Sequence, residues 1–209
     1  GLTHEEVRVL GSLIEKSQAT PEYYPMTLNA LVAACNQKSS RDPVVEYDED
    51  TVVLAIDGLK EKGLCAEISG TGRVEKFAHR IGSTGLGLTP AQAAICSILL
   101  LRGAQTTAEI KTRTARQFSF SDLDFTQQVV DSLVTRDPAI VEEAPRRAGQ
   151  KEKRYRHLFH PWPEEEGAPE TEPLRSVSGD LRVRVEALEA ALAQLREDVE
   201  RMRGDLYGQ

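Results

Sequence analysis

The chain has 209 residues, of which 40% are apolar and 28% charged, the composition of a folded globular protein and not of a disordered one. It holds no apolar run near the roughly 18 residues of a membrane span, and no charged-then-apolar leader, so a cytoplasmic location is expected. The net charge of −7 is unevenly divided: residues 1–82 carry −4, residues 83–160 carry +3 and residues 161–209 carry −6, so only the middle third can attract a polyanion by itself.

In chain order, Thr3 and Glu6 have capping-box spacing, and Val7, Leu10, Leu13 and Ile14 follow at helical intervals. This predicts a first helix from about His4 to Ser17. Thr20-Pro21 and Tyr24-Pro25 interrupt the pattern, after which Thr27 can cap a short helix bearing Leu28, Leu31, Val32 and Cys35. Asn36 to Pro43 is a polar loop. Asp48 can cap a third helix with Val52, Ile56 and Leu59 inward and a stop at Gly63. Leu64 to Ile68 and Val74 to Ile81 are extended runs joined by Ser69-Gly70-Thr71-Gly72, a hairpin.

The same order then returns. Leu88-Thr89-Pro90 reopens the pattern of Leu2-Thr3-His4, with Ile95, Ile98 and Leu99 on the inner face. Thr106 or Thr107 caps a second helix, and a third spans about Ser121 to Arg136 with Val129, Val130 and Leu133 inward. Ile140 to Glu143 and Glu152 to Phe159 make a second hairpin around Pro145 to Gln150. Even the second strands of the hairpins echo each other, Glu75-Lys76-Phe77-Ala78-His79 against Lys153-Arg154-Tyr155-Arg156-His157. Three helices and a hairpin, twice over, predict a mainly α protein with small β-hairpins (α+β): two tandem winged-helix domains, 1–82 and 83–160, with room for two small cores.

Residues 161–179, rich in Pro and Glu, are expected to form an acidic linker. Over 180–207, Leu181, Val185, Leu188, Leu192, Leu195, Val199, Met202 and Leu206 alternate steps of four and three, the a and d positions of about four heptads. Charge pairing of Arg184 with Glu189 and of Asp198 with Arg203 favours a parallel homodimer; the alternative is that this helix folds back on its own chain.

Chemistry finds few anchors. His4, His79, His157 and His160 are scattered, and no Ser-His-Asp or Cys-His arrangement, phosphate loop, Cys-x-x-Cys or His-x-x-x-His spacing occurs. Cys35, Cys65 and Cys96 each lie in an apolar stretch and are expected to be free, buried thiols. The expectation is a protein that is not an enzyme and needs no cofactor, metal or small-molecule substrate.

Nucleic acid is the first partner to consider for winged helices. The third helices nevertheless open on Asp48-Glu49-Asp50 and Ser121-Asp122-Leu123-Asp124, carboxylates that suit a helix N-terminus and repel phosphate. Candidate phosphate contacts lie elsewhere: Lys111, Arg113 and Arg116 around the short helix of the second unit, and Arg146, Arg147, Lys151, Lys153, Arg154 and Arg156 in its wing. The alternative is a solvated wing balanced by Glu164 to Glu166. Asn36, Gln37, Lys38 and Arg41, with Ser39 and Ser40 between, form either a polar turn or a loop that contacts bases or a partner backbone. Two functions from different classes result: a nucleic-acid-binding, regulatory protein, favoured, or an adaptor whose winged helices bind another protein.

The run Thr20-Pro21-Glu22-Tyr23-Tyr24-Pro25-Met26-Thr27-Leu28-Asn29-Ala30-Leu31, Ala34-Cys35-Asn36-Gln37-Lys38 and Arg41-Asp42-Pro43-Val44 resembles the signature of the bacterial YceH family. So do Gly72-Arg73-Val74-Glu75-Lys76, Leu99-Leu100-Leu101-Arg102-Gly103-Ala104-Gln105-Thr106, Arg154-Tyr155-Arg156-His157-Leu158-Phe159 and the stretch from Gly179-Asp180-Leu181 to Arg184-Val185-Glu186-Ala187-Leu188-Glu189. The resemblance spans nearly the whole chain and implies a tandem winged-helix fold; it implies no particular activity. Where the family commonly has Thr-Pro-Gly-Glu-Leu, this chain has Thr106-Thr107-Ala108-Glu109-Ile110, which keeps the helix start through threonine capping.

Overall fold

The computed structural model describes residues 1–68, 74–82, 86–146 and 150–162. The heptad segment 180–207, most of the linker and Arg147 lie outside the described residues. The protein is α+β, and its elements follow the order expected of it: α1 (His4–Ala19), β1 (Met26–Thr27), α2 (Leu28–Cys35), α3 (Glu49–Glu61), β2 (Cys65–Ile68), β3 (Lys76–His79), α4 (Pro90–Arg102), α5 (Thr107–Thr114), α6 (Leu123–Thr135), β4 (Val141–Glu143) and β5 (Tyr155–His157).

Local chemistry sets the helix starts. Thr3, Thr89 and Thr106 each accept a hydrogen bond from the N–H three residues on, and Glu6, Gln92 and Glu109 reach back to the threonine N–H, three complete capping boxes. Thr27, Asp48 and Asp122 cap α2, α3 and α6 through their side chains alone. Between the two candidates for α5, Thr106 is the cap. Gly63, at φ +68, takes the left-handed conformation just past α3.

Each hairpin is antiparallel, Cys65 opposite His79 in the first and Val141 opposite His157 in the second. The two-residue strand β1 was not foreseen in the sequence. It pairs with the far side of β3, Met26 opposite Phe77, and completes the sheet order β1-β3-β2. The second unit repeats the feature as an isolated bridge from Gln105 to Tyr155. Phe77 and Tyr155 are the residues that the repeat aligns, so the extra pairing recurs in both copies, as a short strand in the first and as a single bridge in the second. A strand of two residues carries no alternating pattern; it forms because the chain entering α2 or α5 runs past a wing strand with unpaired N–H and C=O groups.

The length leaves room for two small cores. Buried side chains of both units form one continuous apolar cluster, and Gly1–Glu164 form one compact unit. The seam is α1 against α4. Val7 through Ile14 of α1 are all buried, as are Ala91 and Ala93 through Leu101 of α4, so each helix is covered on opposite sides, by its own unit and by the other first helix. Helix α4, apolar nearly all round, is buried nearly all round, whereas α1 buries Arg8 and Ser12 among its apolar residues. At the crossing, Gly11 lets the backbones approach: a Cβ there would lie 2.9 Å from Leu101 Cγ and 3.0 Å from Leu100 Cβ. The end of the second wing closes over the start of α1, where Leu2 N–H donates to Phe159 O (2.6 Å) and the rings of His4 and His160 stand 4.0 Å apart. Pro161 and Trp162 continue this attachment past residue 160: the Trp162 indole N–H donates to His157 O (2.6 Å).

Candidate interaction surfaces

Strands β4 and β5 and the loop entering β5 position the second wing's cations, and the same elements supply their counter-ions. Arg154 forms a two-point contact with Glu109 of α5 (2.8 and 3.4 Å) and donates to Ala104 O (2.9 Å). Arg113, one turn beyond Glu109, approaches the same carboxylate at 3.5 Å. Burial tends to raise the pKa of Glu109, but the Thr106 N–H and the Arg154 guanidinium outweigh it and hold the carboxyl below its ordinary value. Arg156 binds Glu142 at 2.7 Å and lies 5.4 Å from the Trp162 ring centroid. Lys153 binds Glu143 at 2.8 Å, and Arg146 reaches the same carboxylate at 3.9 Å.

Five of the eight described candidate cations are thus ion-paired inside the unit. Lys111, Arg116 and Lys151 have no ion-pair partner among the described residues. Surface pairs of this kind add little stability, yet a phosphate would have to compete with each carboxylate. Glu142 and Glu143 of β4 and Glu109 of α5 supply these counter-ions, whereas Glu164 to Glu166, the alternative source of balancing charge, lie outside the described residues.

The loop after α2 faces two ways. Asn36 clasps the Tyr47 backbone, accepting from its N–H (2.8 Å) and donating to its carbonyl (2.7 Å). Arg41 is only 6% exposed and forms a two-point ion pair with Glu15 of α1 (2.7 and 3.1 Å), with further bonds to Ala34 O. Arg8, also buried, donates to Cys35 O and Pro43 O, and Asp42 N–H reaches Leu101 O of α4 (2.8 Å). The loop is bolted over the seam between the units. Gln37 is half-buried and Lys38 exposed.

Helices α3 and α6 are the third helices of the two units. Aligned on their caps Asp48 and Asp122, α3 buries Val52, Ile56 and Leu59 and α6 buries Thr126, Val130 and Leu133 at the equivalent positions. The same alignment puts Asp50 and Asp57 level with Asp124 and Asp131, all exposed. Exposed apolar side chains accompany them: Leu54 (73%) and Val53 (37%) on α3, Leu123 (50%) and Phe125 (38%) on α6. These four were passed over in the sequence, although Leu54 visibly falls outside the inward stripe of Val52, Ile56 and Leu59.

Reactive groups are turned inward. Cys35, Cys65 and Cys96 are free and buried. Burial pushes the first two thiols up to about 11 and Cys96 to about 12, so at neutral pH they stay protonated. His79 and His157, at matching wing positions, are pulled down to about 4 by burial, and each keeps a buried Nδ1 with no hydrogen-bond partner. Among the described residues no group of three or more His, Cys, Asp or Glu could hold a metal ion, and no helix is long and apolar enough to cross a membrane.

Fold and surface define the class: an α+β protein of two similar three-helix units on one core. The profile of the family described as Protein of unknown function, DUF480, matches residues 2–150. The chain is 45% identical to a UPF0502 protein of Geobacter sulfurreducens over 197 residues, covering 93% of this chain and 90% of the relative. It is 43% identical to one of Koribacter versatilis over 194 residues (93% and 90%), and 42% identical to one of Pectobacterium atrosepticum over 204 residues (95% and 96%). The chain belongs to this DUF480 (UPF0502) family, in agreement with the resemblance carried by its motifs.

Proposed function

We propose that this is a non-catalytic tandem winged-helix protein, with units 1–82 and 83–160, and that its partner is another protein engaged through the third helices. One observation carries the proposal: the outward faces of α3 and α6 combine carboxylates with exposed leucine, valine and phenylalanine. Carboxylates at the start of a recognition helix repel the phosphate backbone that supplies most of the affinity in nucleic-acid binding. Exposed apolar groups ringed by charge are the mark of a protein interface. The sequence alone favours nucleic acid; the internal pairing of the wing cations reverses that order. A pull-down from nuclease-treated lysate is expected to recover a stoichiometric protein, and recovery of nucleic acid alone would reject the proposal.

A second reading, sequence-independent contact with nucleic acid, draws on Lys111, Arg116 and Lys151, which lack ion-pair partners among the described residues, and on Gln37 and Lys38 of the loop. Its test is the salt slope. Replacing Lys111, Arg116 and Lys151 by Ala should weaken binding to all duplexes alike and flatten that slope, whereas unchanged affinity rejects it. In either case we propose that the heptads at 180–207 make the protein a parallel homodimer. Leu188→Arg in the full chain should then yield a monomer by sedimentation; a wild type that is itself monomeric would refute this.

A further inference from the structure

We propose that the outward face of α3, centred on Leu54, is a docking site for a lysine- and arginine-rich amphipathic helix of a partner protein. This rests on the protein-binding reading above and specifies its chemistry. Leu54 is 73% exposed, more than any other large hydrophobic residue of α1 to α6, and contributes almost nothing to the core that Val52, Ala55, Ile56 and Leu59 build on the opposite side. Its neighbours along the helix surface are Asp50 four residues before, Asp57 three after and Glu61 seven after, with Val53 beside it. An apolar centre is therefore enclosed by carboxylates. Lys60, the cation of this helix, pairs with Asp57 at 3.2 Å and also lies 3.8 Å from Glu67 and 5.4 Å from the Phe77 ring centroid, which leaves Asp50 and Glu61 without an ion-pair partner among the described residues.

Charge complementarity decides the occupant. A phosphate backbone or an anionic lipid surface meets the same repulsion from Asp50, Asp57 and Glu61, and an acidic peptide fares no better. A helix with one apolar stripe flanked by Lys or Arg covers Leu54 and Val53 and matches the carboxylates on either side. Helix α6 is the internal comparison. It repeats Asp50 and Asp57 as Asp124 and Asp131 but has Gln128 in the place of Leu54, and its apolar pair, Leu123 and Phe125, sits in the first turn.

The test titrates the full-length protein with an 18-residue synthetic amphipathic peptide of Leu and Lys, and with its Leu and Glu counterpart, by calorimetry and amide NMR. Expected are 1:1 binding of the basic peptide, shifts concentrated in α3, a loss of tenfold or more in affinity for Leu54→Arg, and a change under twofold for Gln128→Arg. Wild-type unfolding curves for both variants establish that the fold is kept. Equal losses in the two variants, equal binding of the acidic peptide, or no binding at all would overturn the proposal. The pull-down separates this failure from the failure of the protein-binding reading. If wild type and Leu54→Arg recover the same protein equally, the α3 site falls and the broader reading stands; if wild type recovers none, both fall.

Discussion

Gly11 of α1 lies so close to Leu101 of α4 that a methyl group on it would come within 2.9 Å of the leucine Cγ, nearer than carbon atoms pack. Ala is intrinsically better than Gly in a helix by about 0.5–1 kcal/mol. Overpacking a closed core costs about 1–3 kcal/mol, and Leu101 is wholly buried. The steric term should win. Gly11→Ala is expected to lose about 1–2 kcal/mol and Gly11→Val more, measured as the urea midpoint, still with a single transition because the core is shared.

Glu15 is the counter-ion of a buried guanidinium. Removing it leaves Arg41 charged, almost without solvent, and near Arg8. Uncompensated buried charges cost about 3–5 kcal/mol. Glu15→Ala should therefore destabilise by roughly that amount, and the double variant Glu15→Ala with Arg41→Met should recover part of it. A double-mutant cycle on denaturation free energies checks both, and purely additive losses would contradict the ion pair.

Stability should fall in mild acid, and two histidines supply the reason. His79 and His157 titrate near 4 when folded and near the ordinary 6.5 when unfolded. As pH falls below about 6.5, the unfolded chain takes up these protons first, so the stabilisation is complete above that pH and is lost progressively down to about 4. Each contributes on the order of 2–3 kcal/mol over that window. His157→Leu should remove about half of the slope of stability against pH between 4.5 and 6.5, with little effect on its sign.

Glu142 and Glu143 hold three wing cations, Arg156, Lys153 and Arg146. Replacing both by Gln releases those charges without changing side-chain shape. Affinity for a 20-base-pair duplex should then rise several-fold at low salt, with a steeper dependence of log Kd on log salt, approaching 0.9 per added phosphate contact. A wild type and double variant with identical slopes would show that the carboxylates do not mask the wing.

What could be read from the sequence was local. Thr3, Thr89 and Asp48 announce helix starts because a cap bonds three residues away, and the wing strands are legible from the match of Phe77 with Tyr155. What escaped depends on distance along the chain. Arg41 looks like a surface loop residue, since arginine is usually exposed, and its carboxylate lies 26 residues upstream. Arg154 meets Glu109 across 45 residues. The shared core did leave a trace: Ala91 to Leu101 is apolar apart from Gln92 and Ser97, too apolar for a helix with one wet face. Leu54 went unremarked because attention to the buried stripe says nothing about what the other face is for.

The hydrogen bond from Leu2 to Phe159 ties the opening of the first repeat to the close of the second. Neither half owns its boundary, and fragments 1–82 and 83–162 would each expose a wide apolar helix face if made alone. Co-expressed, they are well placed to reassemble without a covalent link, because α1 and α4 would meet as they do within one molecule. Such a split pair would report on partner-induced assembly in the cell, with restored solubility as the signal.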